Sequence, residues 1–82
     1  MEELLVNARH KVVGTKQTIK ALEKDEVSHV FLARDAEDKV IQPVIDLCKE
    51  KKLEPQYINT MLELGKLCGI KVKAAAAAIT EC

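Results

Sequence analysis

Between Val27 and Ala33 the chain is almost continuously apolar, with Val30-Phe31-Leu32-Ala33 unbroken. A strand of that kind has no polar face to turn to water, so it must be covered on both sides. Stretches of helical period stand on either side of it. One runs from Thr15 to about Asp25, with Ile19 and Leu22 inward at i, i+3 spacing. The other covers residues 37–52, where Val40, Ile41, Val44, Ile45, Leu47 and Cys48 follow the spacing of an amphipathic helix. Pro43 lies inside it, so the helix either kinks there or begins properly there.

The flanks continue the alternation. Residues 2–9 read as a short helix with Leu4, Leu5 and Ala8 on one side, and Val12-Val13 as a brief strand ended by Gly14. Thr15 is placed to cap the following helix, because its hydroxyl can accept from a free backbone N–H. Gln56–Asn59 follow Pro55 as a strand, and residues 61–68 as a helix with Leu62, Leu64, Leu67 and Cys68 toward the core. Gly69 suits the helix end. The run Ala74–Ala78 favours helix by intrinsic propensity. Small side chains also fit a strand tightly covered by helices, and Ile79-Thr80 is strand-like, so the segment is assigned to a strand. Strands alternating with helices predict an α/β fold, a sandwich of helices on a sheet.

At 82 residues the chain makes one domain, residues 1–82. Phe31 and Tyr57 are its only aromatic residues, so the core is aliphatic, and rings this scarce speak against a reader that stacks bases on exposed aromatics of a sheet. With 48 % hydrophobic and 32 % charged residues the composition is that of a soluble globular domain. No apolar run approaches the roughly 18 residues of a membrane span. Met1-Glu2-Glu3 carries acids where an export signal needs cations, which sets the expectation of a cytoplasmic protein.

Cys48, Cys68 and Cys82 form no Cys-x-x-Cys pair, so neither zinc nor redox chemistry is expected. They read as two small buried residues and a tail thiol. His10 and His29 have no local nucleophile or orienting acid beside them. Glu37 and Asp38 read as a solvated helix start. No enzyme, metal or cofactor is expected.

Lys and Arg number 13 and Asp and Glu 13, a net charge of zero. Taken alone, that balance opposes a nucleic-acid binder driven by bulk charge. The charge is nevertheless uneven. Residues 9–24 hold Arg9, Lys11, Lys16, Lys20 and Lys24 against Glu23, and residues 64–80 hold Lys66, Lys71 and Lys73 with no acid. Acids in residues 25–63 and at the termini cancel them. Each basic segment contains a glycine turn beside a helix, Gly14 before one and Gly69 after another. If the fold joins those turns, the protein has a basic face. Charge clusters are otherwise ordinary solvated helix faces.

Gly14-Thr15-Lys16-Gln17-Thr18-Ile19-Lys20 starts a helix at a glycine. A helix N-terminus offers free N–H groups and the positive end of a dipole, both attractive to phosphate. Lys16 and Lys20 share a face at i, i+4, a repulsion that a bound anion would relieve. Gln17 adds a donor and an acceptor able to read a base edge. The nucleotide-binding P-loop pattern is absent.

At these residues the sequence resembles the kink-turn-binding ribosomal proteins of the L7Ae and L30e families. Gly14-x-Lys16-Gln17-Thr18-Ile19-Lys20 is similar to their helix-start motif. Leu62-Glu63-Leu64-Gly65-Lys66-x-Cys68-Gly69-Ile70, followed by the alanine-rich tail to Ile79, is similar to their second block. Val30-Phe31-Leu32-Ala33-Arg34-Asp35 resembles the central strand and turn, and Pro43-Val44-Ile45-x-Leu47-Cys48 the third helix. The likeness covers nearly the whole chain in order, and is greatest to the short bacterial members.

The resemblance implies a three-layer α-β-α sandwich with a small mixed central sheet, binding kink-turn RNA at tandem sheared G·A pairs. By position, Gly14 would let the backbone approach phosphates. Lys16, Gln17 and Lys20 would contact guanine edges and phosphate, and Thr15 would cap the helix and touch the RNA backbone. Ile70, Lys71, Val72 and Lys73 would form the loop against a flipped-out nucleotide, with Ile70 and Val72 as apolar contacts. Arg34 would line the same surface. Many L7Ae members have Asn-Glu where Lys16-Gln17 stands, and an acidic and a small residue where Lys71 and Lys73 stand, so this loop is more basic than the family pattern. The implied partner is a structured RNA, ribosomal or riboswitch-like, with ribosome association and no role for DNA or membrane. The alternative on the same fold is a protein–protein adaptor.

Overall fold

The apolar run forms β2 (His29–Ala33), in which Val30, Phe31, Leu32 and Ala33 are all buried. The computed structural model describes residues 2–80. Glu81 and Cys82, and the side chains of Glu2, Glu3 and Leu4, lie outside the described residues, so the expectations placed on Leu4 and the Cys82 thiol lie outside them too. The remaining elements are α1 (Glu2–Asn7), β1 (Lys11–Val13), α2 (Thr15–Glu23), α3 (Asp38–Glu50), β3 (Gln56–Ile58), α4 (Met61–Leu67) and β4 (Ala76–Ile79).

The sheet runs β1-β4-β2-β3. β4 is antiparallel to both β1 and β2, while β3 is parallel to β2, so the sheet is mixed. The alanine run therefore occupies the centre. Ala76, Ala77 and Ala78 are fully buried. A short side chain brings the covering helices close to the sheet, an arrangement that outweighs alanine's helix propensity of a few tenths of a kcal/mol per residue, roughly 0.7 at most against ordinary residues. Helices α2 and α3 pack together on one face and α1 packs with α4 on the other, which gives the three layers.

The helices depart from their sequence-based bounds and faces in five places. α2 ends at Glu23, two residues early, and α1 at Asn7. α3 begins at Asp38 and runs through Pro43, which is exposed, so the helix does not start at the proline. In α3 the core side is carried by Ile41, Val44 and Cys48, with Ile45 and Leu47 partly buried; Val40 is 38 % exposed. In α4 Leu64 and Cys68 are buried, and Leu62 is 49 % exposed. Both corrections have one cause. The apolar set in each helix is wider than the stripe a single sheet face can cover, so its outermost member is left in solvent.

α4 is pinned at both ends. The Thr60 hydroxyl accepts the Glu63 N–H at 3.0 Å, and the Asp35 carboxylate accepts the Met61 N–H at 2.8 Å. At the far end the Gly69 N–H donates to the Lys66 carbonyl and the Ile70 N–H to the Gly65 carbonyl, both at 3.0 Å. These are the two bonds of a Schellman closure, with Gly69 at φ +79° in the position that favours glycine.

Candidate nucleic-acid interface

The N-cap of α2 is Gly14, not Thr15. Gly14 is the residue before the first helical turn, at φ 107° and ψ 152°, and no side chain caps the helix. Thr15 is already helical and half-buried, so its expected capping role is not observed. The residue that secures the turn is Thr18. It is fully buried, its hydroxyl donates to the Gly14 carbonyl at 2.8 Å, and its N–H donates to the same oxygen at 3.0 Å. Thr18 is the first residue whose N–H is taken in this way, so by helix geometry those of Thr15, Lys16 and Gln17 have no intrahelical acceptor. Lys16, Gln17 and Lys20 are exposed beside them.

The sheet topology decides what else stands here. Because β4 runs opposite to β1 and β2, its first residues lie beside the last residues of both. The Gly14 N–H donates to the Ala76 carbonyl at 2.8 Å, and the Ala33 N–H to the Ala75 carbonyl at 3.0 Å. Gly14 and Arg34 are thus about 10 Å apart, two strand spacings, with Ala75 and Ala76 between them. β3 is parallel to β2, so the turn into α4 reaches the same end, where the Ala74 N–H bonds the Met61 carbonyl at 3.0 Å. Arg34, Lys71, Val72 and Lys73 are exposed, Val72 to 66 %; Ile70 is half-buried and packs on the core.

The two basic segments therefore meet, but only in part. Ala76, three residues after Lys73, reaches Gly14; Gly69 itself lies at the far end of α4, about 10 Å along the helix. Lys11 turns away and donates from Nζ to the Leu5 carbonyl at 3.3 Å. Lys24 follows the end of α2, about 15 Å from Gly14, and Arg9 precedes β1 at the opposite end of the sheet. The elements that converge carry Lys16, Lys20, Arg34, Lys71 and Lys73, with Lys20 a turn further along α2, where it lines a pocket with Gln17, Lys24 and His10.

The role of Gly65, a member of the second sequence block, is positional. A Cβ there would collide with the Val72 carbonyl oxygen, and the Ile70 side chain lies 3.6 Å away. The 70–73 loop rests on this bare stretch of α4. The bond from Asp35 to the start of α4 has no local signal in the sequence, whereas Thr60-x-x-Glu63 is a capping signature that marks Thr60.

Burial pushes the thiols of Cys48 and Cys68 above their ordinary range, partly opposed at Cys68 by the Lys11 charge. Neither is a poised thiolate. Among the described residues no group of His, Cys, Asp and Glu is arranged to hold a metal, and no helix is long and apolar enough to cross a membrane.

Residues 2–82 match the family described as ribosomal protein L7Ae/L30e/S12e/Gadd45. The chain is 48 % identical over 68 residues to an RNA-binding protein of Caldanaerobacter subterraneus subsp. tengcongensis, covering 83 % of each chain. It is 44 % identical over 79 residues to an RNA-binding protein of Halalkalibacterium halodurans, covering 96 % of each. The fold matches a 15.5 kD RNA-binding protein of Giardia lamblia with a TM-score of 0.85 at 18 % identity, over 99 % of this chain and 68 % of that one.

Proposed function

The chain belongs to the ribosomal protein L7Ae/L30e/S12e/Gadd45 family, and from that membership we propose that it binds RNA and recognises kink-turn motifs with tandem sheared G·A pairs. The carrying observation is the shared sheet end. The open start of α2, the turn after β2 and the loop before β4 converge there and present five exposed cations. The relatives described as RNA-binding proteins support the same reading.

In this reading the start of α2 enters the widened groove. The free N–H groups of Thr15, Lys16 and Gln17, with the helix dipole, hold phosphate or a carbonyl edge. Lys16 and Lys20 supply charge and donors to guanine O6 and N7, and Gln17 a donor and an acceptor. Gly14 lets the backbone approach without a side chain intervening. The 70–73 loop closes over the unstacked nucleotide with Val72 as its apolar contact and Lys71 and Lys73 on phosphate. Ile70, half-buried over Gly65, holds that loop in place. The RNA is ribosomal or regulatory, and the protein acts in the cytoplasm, in association with the ribosome or with a free RNA.

An adaptor on the same fold would present an apolar or acidic patch where the lysines stand, and its binding would vary little with salt. The test is titration of the protein into a kink-turn RNA and into a copy lacking the G·A pairs. Tight binding to the first and weakening of tenfold or more on the second is expected. Equal affinities would sink kink-turn recognition. Lys20→Ala should cost about 1–3 kcal/mol of binding if it contacts a base.

A further inference from the structure

We propose that the trough between α3 and the outer strand β3 binds single-stranded nucleotides flanking the structured RNA, with Tyr57 as the stacking surface. The inference rests on the RNA-binding reading above and extends it past the kink-turn site.

The trough is open and has a volume of about 610 Å³. That lies within the range of about 300–1,000 Å³ in which small ligands bind. Arg34, Lys49, Gln56, Tyr57 and Glu54 line it, with Ile45 from α3. Tyr57, the chain's single tyrosine, is 43 % exposed. The Arg34 guanidinium sits 5.6 Å from the centroid of its ring, within the roughly 6 Å of a cation–π pair. A ring held this way loses little freedom on binding, and bases stack both on aromatic rings and on guanidinium planes.

Charge points the same way. Residues 25–63 hold nine acids against five cations, yet the trough gathers Arg34 and Lys49 against Glu54 alone. It is a cationic opening in the acidic part of the chain. It is also continuous with the proposed RNA face, because Arg34 belongs to both: it follows β2 at the basic sheet end and lines the trough with Tyr57. An RNA strand leaving the kink-turn site past Arg34 reaches the Tyr57 ring next, with Lys49 in the last turn of α3 beyond it.

The probe is one kink-turn RNA in three forms: blunt, with six unpaired adenines at the 5′ end, and with six at the 3′ end. At least one tailed form should bind the native protein about tenfold tighter than the blunt form, the scale of stacking a base on an aromatic ring. Tyr57→Ala and Lys49→Glu should each bring that tailed RNA to the blunt level while leaving blunt affinity within twofold, and Tyr57→Phe should keep the gain. Both positions are exposed, and circular dichroism checks that the variants fold. No gain from either tail, or a gain that survives Tyr57→Ala and Lys49→Glu, would overturn the proposal. Failure of the kink-turn reading shows elsewhere, as equal binding of the blunt RNA and its copy without G·A pairs.

Discussion

Gly14 holds a backbone conformation, φ 107° and ψ 152°, that is open essentially to glycine alone and costs other residues on the order of 1–3 kcal/mol. Nothing lies within 4 Å of where its Cβ would stand, so the cost of Gly14→Ala is conformational, not steric. Urea unfolding should show a loss in that range, together with weaker binding as the start of α2 shifts. A variant as stable as the parent would mean that the turn relaxes freely. Thr18→Val isolates the neighbouring hydrogen bond. Valine keeps the shape of a fully buried residue and leaves the Gly14 carbonyl its N–H partner, so about 1 kcal/mol should be lost, again by urea titration.

Among the elements, α4 sets two effects against each other at Gly65. Replacing a helical glycine with alanine normally stabilises by roughly 0.5–1 kcal/mol. Here the new Cβ meets the Val72 backbone carbonyl, which cannot swing aside as a flexible side chain would. The clash wins, and Gly65→Ala should destabilise by about 1–3 kcal/mol. It should also displace Lys71 and Lys73, weakening RNA binding beyond what the loss of stability explains. A stabilised variant with native affinity would show that the loop is free to move. Thr60 acts at the other end of the same helix, and Thr60→Ala should cost about 1 kcal/mol of stability in thermal or urea unfolding.

For the molecule as a whole, zero net charge predicts weak non-specific attraction to RNA, since acids elsewhere offset the basic end. Specific binding should still depend on salt. If Lys16, Lys20, Lys71 and Lys73 each displace one counterion, log K should fall against log salt with a slope of about −3 to −4. A slope near zero would exclude a phosphate-contacting site and favour the adaptor. The basic segments were visible as segments, but their sum misstated the face. Arg9, Lys11 and Lys24 raise the positive count and stand away from the sheet end, while Arg34, from the acidic middle, joins it.

Period and composition reach as far as one element. The unbroken apolar run could only be a covered strand, and a helix opening on Gly14-Thr15-Lys16 could only offer its free N–H groups beside lysine. The alanine run needed its neighbours to settle between helix and strand, because alanine satisfies both. Val40 and Leu62 looked like core, since periodicity names a face without saying how wide a stripe the sheet can cover. Pairing across the sheet is a long-range matter. Only the antiparallel placement of β4 between β1 and β2 puts Ala75 beside Ala33 and Ala76 beside Gly14, more than 40 residues away in the chain. The sequence determined which residues could bind; strand order decided which of them share one surface, because hydrogen bonds between strands, and not proximity in the chain, set their spacing.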